Sequence, residues 1–292
     1  MTAHKDKYLE GKVCIVTGAT SGIGKETARA LAHQGGTVIL LGHNPDKAAA
    51  TIGEIKREVD AAKVDYLLAD LSSQAEIYQL AEEFANRYDR LDVLVNNAGA
   101  FFLWRQESVD GIEMTFALNH LGYFLLTNLL LDTMIASAPA RIINVSSGSH
   151  LRSTMNFDDL QGRRKYSGPK AYGQSKLANV LFTYELAWRL EGTGVTVNAL
   201  HPGFVATTMG SNNGWVVRAL RPLMNLRALS VPEGAETAIY LATSPEVEGV
   251  TGKYFIRCKA VPSSSYSYDA AVAKRLWRVS EEMTGLSQIP AV

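Results

Sequence analysis

Tyr172 and Lys176 stand four residues apart in AYGQSKLANVLF, a segment whose pattern predicts a helix. That spacing puts both side chains on one helix face. A free phenol ionises near pH 10, about three units too high for easy proton exchange at neutral pH. A neighbouring cation favours the phenolate and lowers that value. The pair therefore suits proton transfer to or from an oxygen whose charge changes. Tyr166 and Lys170 share the spacing, but Pro169 falls between them. Proline is tolerated at a helix start and not in its interior, so the second pair straddles a helix start. Tyr172 and Lys176 are the better candidates.

A second candidate is the loop Thr17-Gly18-Ala19-Thr20-Ser21-Gly22-Ile23-Gly24. Its glycines permit a sharp turn and close backbone approach. The helix that follows presents unpaired N–H groups and a partial positive charge, which suits a pyrophosphate. The loop follows a predicted strand and opens a predicted helix, the context that gives such glycines weight. An acid about 20 residues farther on would hold the adenosine ribose of NAD. Leu40-Leu41-Gly42-His43-Asn44 holds none. Asp46 lies beyond Pro45, where it favours the next helix dipole. His43 and Asn44 offer donors for a 2′-phosphate, and Lys25 offers charge. NADP(H) is favoured, with NAD(H) left open.

These residues need a scaffold. Short apolar runs predict strands at 13–17, 37–41, 64–69, 93–95, 141–146, 195–200 and 253–256. Helical patterns fall at 23–34, 45–59, 73–88, 111–136, 169–190 and 233–242. Continuous rather than alternating apolar strands suit burial on both faces. Repeated βα units predict a single α/β domain over 1–292: a Rossmann-type doubly wound parallel sheet of about seven strands, helices on both faces. Ligands then bind at the carboxyl ends of the strands. Residues 1–9 read as a flexible lead, 204–231 as a substrate lid and 262–292 as a C-terminal extension.

Composition narrows the function further. The 292 residues carry 29 Lys plus Arg and 29 Asp plus Glu, so no net field attracts nucleic acid. No apolar run is long enough to cross a membrane, and no signal core opens the chain; a cytoplasmic protein is expected. Cys14 and Cys258 read as reduced packing thiols. No histidine or cysteine spacing suggests a metal.

The loop T-G-x-x-x-G-I-G, Asn96-Asn97-Ala98-Gly99, Asn119, Ser146-Ser147, Tyr172-x-x-x-Lys176 and Pro202-Gly203 occur in the order of the short-chain dehydrogenase/reductase family, which this sequence resembles over about residues 10–285. The resemblance implies an enzyme. Tyr172 is its general acid/base, Lys176 its tuning cation, Ser147 the hydroxyl on the substrate oxygen, and Asn119 a support for the proton relay. Ser146 is read as a strand-end residue with a backbone partner. The resemblance also places Asp70 and Leu71 near adenine. Asn96, Asn97, Ala98 and Gly99 fall along the cofactor cleft, and Pro202, Gly203, Val205 and Thr207 at the nicotinamide. Close relatives usually carry Arg where His43 stands, which implies a weaker NADP preference here.

Asn119-His120-Leu121-Gly122-Tyr123-Phe124, His201-Pro202-Gly203 and the 25-residue gap from Ser147 to Tyr172 resemble the retinol-dehydrogenase-like branch. The segment 215–227 is apolar and basic. It reads as a lid packed on its own domain, with contact to a membrane surface as the alternative. Trp215, Leu220 and Met224 favour a lipophilic aldehyde, ketone or alcohol as partner. Two other readings stay open: an NADP(H)-binding sensor without catalysis, and a carbon–carbon double-bond reductase. Homo-oligomerisation through the long helices is also open.

Overall fold

The computed structural model describes residues 7–205 and 228–286. Chain order begins β1 (Val13–Thr17), α1 (Gly22–His33), β2 (Thr37–Gly42), α2 (Pro45–Glu58), β3 (Val64–Leu68), α3 (Gln74–Arg87) and β4 (Val93–Asn96). A single turn α4 (Met114–Phe116), a π-helical turn (Ala117–Leu121), α5 (Gly122–Leu129) and α6 (Leu131–Ala136) follow. Then come β5 (Ala140–Val145), α7 (Gly168–Arg189), β6 (Val195–His201), α8 (Val231–Thr243), β7 (Lys253–Ile256), β8 (Lys259–Val261) and α9 (Ala270–Thr284).

The sheet order is β3-β2-β1-β4-β5-β6-β7-β8. All neighbours are parallel except β7 and β8. Each of β1 to β6 serves two cores, which is why these strands read as largely apolar runs. Ile15, Ile39 and Leu94 join one core with Phe84, Phe124 and Phe182. Cys14, Val16, Val38, Leu40 and Val95 face the other, with Leu31, Ile55 and Leu241. Each such side chain contributes roughly 1.5–3 kcal/mol on full burial. The chain order reverses between β1 and β4, so loops after these strands diverge and open a crevice at their carboxyl ends.

Three expectations change. The sheet has eight strands, because the chain turns back after β7 through Arg257 and Cys258. These two residues take φ values of 49° and 59° and pair β8 against β7. A two-residue turn with both φ positive ordinarily uses Asn or Gly, so its residues gave no warning. The expected helix over 111–136 is broken: Gly111 sits at φ 71°, the π turn interrupts it, and Leu130 leaves helical geometry before α6. Leu9, read from the sequence as part of a flexible lead, is buried, and its N–H donates to the Gln34 carbonyl at 3.0 Å.

The C-terminal extension packs on the long helices. Trp277 of α9 meets Phe124 of α5 at 4.9 Å and Phe182 of α7 at 5.8 Å between ring centres. Beside it, buried His120 bonds to Ser280 of α9 at 2.9 Å and to Asn179 of α7 at 3.4 Å. Burial pushes the His120 pKa down to about 3. Burial also lowers those of His150 and His201. The unfolded chain then binds protons below about pH 6.5 that the folded chain refuses, so stability falls as pH drops from there toward 3. We expect chemical unfolding to lose up to about 1.4 kcal/mol per pH unit for His120 over that window. His120→Gln is expected to make the pH dependence shallower.

Candidate functional site

The first loop takes its shape from two glycines and a threonine. Gly18 and Gly22 adopt φ of 64° and 54°, where a side chain would be strained. Thr17 Oγ1 accepts from the N–H groups of Asn97 and Ala98, both at 2.8 Å, and Asn97 Nδ2 donates to the Thr17 carbonyl at 2.8 Å. The loops after β1 and β4 are thereby locked together. Gly24 sits beneath them: a Cβ there would lie 2.4 Å from the Gly18 carbonyl oxygen and 2.5 Å from Asn97 Nδ2.

Above the locked loops runs a cleft of about 450 Å³. Gly18, Thr20, Ser21, Gly22, Ile23, His43, Asn44, Asp70, Leu71, Asn97, Ala98 and Gly99 all line it. Ser21 leaves the N-terminus of α1 without a side-chain cap, and no acid stands in its first turn. Asn44, Ser73, Ser230 and Asp269 do cap α2, α3, α8 and α9. The open donors of α1 therefore face the cleft, and an anionic group fits there. At the other end Asn44 Oδ1 caps α2 by accepting from Lys47 N at 2.9 Å, which reduces its availability as a ligand.

Lys25 does not serve this cleft. It pairs with Glu54 of α2, a tertiary partner invisible in the local sequence. Lys47 lines the cleft beside His43 and Asn44 instead, and sequence reading missed it. Asn96 also departs from expectation. It is fully buried and donates from Nδ2 to Thr127 Oγ1 and Asn144 Oδ1, both at 2.9 Å. Its side chain belongs to the sheet interior because the period of β4 turns it away from the loop.

The second cluster adjoins Gly99. A Cβ at Gly99 would lie 3.2 Å from Asn119 Oδ1 and 3.4 Å from Lys176 Nζ, so both polar groups reach the cleft wall. The π turn carries Asn119 there. Its amide takes the Ala100 N–H at 2.9 Å, donates to the Ala100 carbonyl at 3.0 Å and donates to Ser175 Oγ at 3.1 Å. Such one-turn insertions in helices often mark functional positions. Lys176, 1% exposed, donates from Nζ to the Val145 carbonyl at 3.0 Å. Ser146 Oγ donates to the Lys176 carbonyl at 2.7 Å, the backbone partner expected of it.

Tyr172 hydrogen-bonds to Ser147 and meets Phe101 edge-on at 5.9 Å between ring centres. Burial raises its pKa, while the Ser147 bond lowers it. The expected lowering by Lys176 is not what the protein alone exhibits. Nζ lies 5.9 Å from the Tyr172 ring centre, and burial pushes the ammonium itself down to about 7. Ser147 is thus the group that favours the phenolate here. Ser147 Oγ also accepts from Ser149 N at 3.2 Å. The decoy Tyr166 donates to the Phe102 carbonyl and to Glu113, both at 3.1 Å. Pro169 opens α7, so this tyrosine is a structural strut.

Pro202, Gly203 and Val205 follow β6 and reach the cluster indirectly. The Gly203 N–H donates to His201 Nδ1 at 3.3 Å, and His201 Nε2 lies 3.2 Å from where a Gly148 Cβ would stand. Thr207, Trp215, Leu220 and Met224 lie outside the described residues. A groove of about 870 Å³ lies at the start of β5 and β6 and holds none of the site residues. Among the described residues no cluster could hold a metal ion and no helix is long and apolar enough to cross a membrane.

Comparison with known proteins matches this arrangement. Residues 12–214 match the family model for short chain dehydrogenase. The chain is 44% identical to retinol dehydrogenase 14 of Homo sapiens, covering 95% of this chain and 88% of that protein. It is 43% identical to polyprenol dehydrogenase of Homo sapiens, over 95% and 86%. A 3-oxoacyl (acyl-carrier-protein) reductase from Agrobacterium tumefaciens C58, solved with NADP bound, superposes with a TM-score of 0.70 at 25% identity. The match covers 87% of this chain and 96% of that one.

The glycines give a direct check on the geometry. Gly24→Ala is expected to lower unfolding stability by about 1–3 kcal/mol, because the facing atoms are backbone and a tied amide. Gly53, exposed within α2, has open space around it. Gly53→Ala is expected to raise stability by about 0.5–1 kcal/mol in the same urea titration.

Proposed function

The chain belongs to the short-chain dehydrogenase family, and from that premise we propose that it moves hydride between NADP(H) and a lipophilic aldehyde, ketone or alcohol. The observation that carries this reading is the Ser147–Tyr172 hydrogen bond beside the enclosed Lys176, whose Nζ lies close behind Gly99 in the wall of the glycine-loop cleft. The nicotinamide ring, when bound, supplies or accepts the hydride.

The chain's own groups handle the oxygen and the proton. Ser147 donates to the substrate oxygen and holds the carbonyl carbon toward the ring. Tyr172 gives its proton to that oxygen as negative charge develops, or removes it from an alcohol in reverse. Lys176, whose pKa burial lowers to about 7, replenishes that proton. Asn119 holds Ala100 and Ser175 in register around that lysine. Gly18, Thr20, Ser21, Gly22, Ile23, Asp70, Leu71, Asn97, Ala98 and Gly99 would hold the dinucleotide along the cleft.

Lys47 and His43, with no carboxylate between Gly42 and Pro45, support NADP(H) over NAD(H). Asp46 does not line the cleft. A lipophilic substrate is supported by Phe101 against Tyr172. Exposed Leu103, Trp104, Leu151 and Phe204, which neighbour site residues in sequence, support it further. The names of the retinol and polyprenol relatives agree with that chemistry.

The test is NADPH oxidation with all-trans-retinal and a long-chain aldehyde, using a sugar aldehyde as control. Tyr172→Phe is expected to cut turnover by about 10²–10⁴-fold while NADPH binding, followed by fluorescence, persists. Full activity in that variant overturns the assignment. Lys47→Ala is expected to weaken NADPH binding by up to about fivefold, the worth of one exposed charge pair, and to leave NADH binding unchanged.

A further inference from the structure

Behind Ser147 lies a buried polar relay that the proposed chemistry does not use directly. Ser147 enters a single 3₁₀ turn, Gly148–Arg152, with φ of −159° and ψ of 154°. His150 of that turn is buried. Its Nδ1 lies 2.7 Å from the Ser147 carbonyl oxygen, and its Nε2 lies 3.2 Å from the Ser264 N–H. A carbonyl only accepts and an amide only donates. The ring therefore carries its proton on Nδ1, donates to Ser147 and accepts from Ser264. The ring also stands edge-on to Tyr254 of β7, centres 4.7 Å apart.

Ser264 belongs to a tightly bonded segment at the start of the C-terminal extension. Ser263 Oγ pairs with Tyr184 Oη of α7 at 2.6 Å and with Ser267 Oγ at 2.7 Å. Ser267 Oγ donates to the Ser264 carbonyl at 2.6 Å, and the Ser263 N–H donates to Tyr268 Oη at 3.1 Å. The other side of the Ser147 turn is held by His201, whose Nε2 occupies the space beside Gly148. Of the groups facing His150 from these elements, His201 and Tyr254 titrate. Burial keeps His150 and His201 neutral and Tyr254 protonated.

We propose that His150 is a positioning residue that fixes the backbone of Ser147 and thereby aims its hydroxyl at Tyr172, using the 263–268 segment as its anchor. The extension is then part of the active-site frame. The inference rests on the functional reading of Ser147 and Tyr172 given above. An error of about 1 Å in such an aim costs up to about a hundredfold in rate.

One test needs no substrate. In ¹⁵N-histidine-labelled protein at pH 7, His150, assigned by the signal lost in His150→Gln, should show protonated Nδ1 and acceptor-type Nε2. The opposite tautomer or an imidazolium overturns the proposal whatever the enzyme turns over. The second test is kinetic, with NADPH and all-trans-retinal. His150→Ala should lower kcat by about tenfold or more, with KM for NADPH unchanged. It should also move the phenolate-dependent limb of the alcohol-oxidation pH profile upward, since a loosened Ser147 no longer favours the phenolate.

His150→Asn, which can still donate and accept, should recover part of that loss. Adding His150→Ala to Ser147→Ala should cause no further loss, because the histidine acts through the serine. Ser264→Pro removes the anchoring N–H together with a buried hydroxyl that has no hydrogen-bond partner, at a φ of −62° that proline accepts. It should reproduce the kcat loss in a weaker form. If His150→Ala and Ser264→Pro both keep kcat within about twofold while Ser147→Ala is inactive, the positioning role is overturned and the functional reading stands. If Ser147→Ala and Tyr172→Phe are themselves fully active, the functional reading falls first.

Discussion

A lysine enclosed at both ends organises this molecule. The ammonium of Lys176 is held by the Val145 carbonyl, and its own carbonyl is held by the Ser146 hydroxyl. One residue of α7 is thus clasped to two consecutive residues at the end of β5. An ammonium out of water is costly unless partnered, and burial drives this one toward neutrality. The surrounding fold reads as the means of tolerating it. Tyr123 and Tyr172 offer ring faces at 5.5 and 5.9 Å, and the π turn keeps Asn119 against the loop that closes over it.

The same strand end is braced from inside the sheet. Asn96 and Asn144 are directly paired across β4 and β5. Their amides run from Thr127 of α5 through Asn96 and Asn144 to Thr183 of α7, where Thr183 returns to the Asn179 carbonyl. A buried polar chain with paired donors resists any slip in register, because a shift by one residue would strand its members away from water. The end of β5 and the body of α7 are therefore fixed relative to each other before any ligand arrives. That is what a proton transfer between fixed atoms needs.

Much of this was legible in the sequence, for identifiable reasons. The strands were visible because two-sided burial demands unbroken apolar runs. Tyr172 and Lys176 were visible because four residues make one helical turn, and Pro169 marked where α7 begins. The glycine loop was visible because Gly18, Gly22 and Gly24 each answer a backbone demand. Other features depended on distant partners. Ala117-Leu118-Asn119-His120-Leu121 looks like ordinary helix, and only the loop at Ala100 explains the widened turn. Lys25 and Lys47 both follow a strand and a turn, but Glu54 claims the first. The hydrogen bond that ties His150 to Ser264 joins residues 114 positions apart, and no local pattern announces it.

The seating of α9 has a consequence for how copies of this chain can meet. Trp277 fills the hollow between α5 and α7, with the Arg189 guanidinium 3.9 Å from its ring centre. The aromatic seam that two long helices would offer to a twin is already occupied, in cis, by the chain's own tail. A second molecule approaching along that side meets the outer face of α9, where Lys274, Arg275 and Arg278 give way to Glu281 and Glu282. On that side the tail exchanges a greasy surface for a wet one.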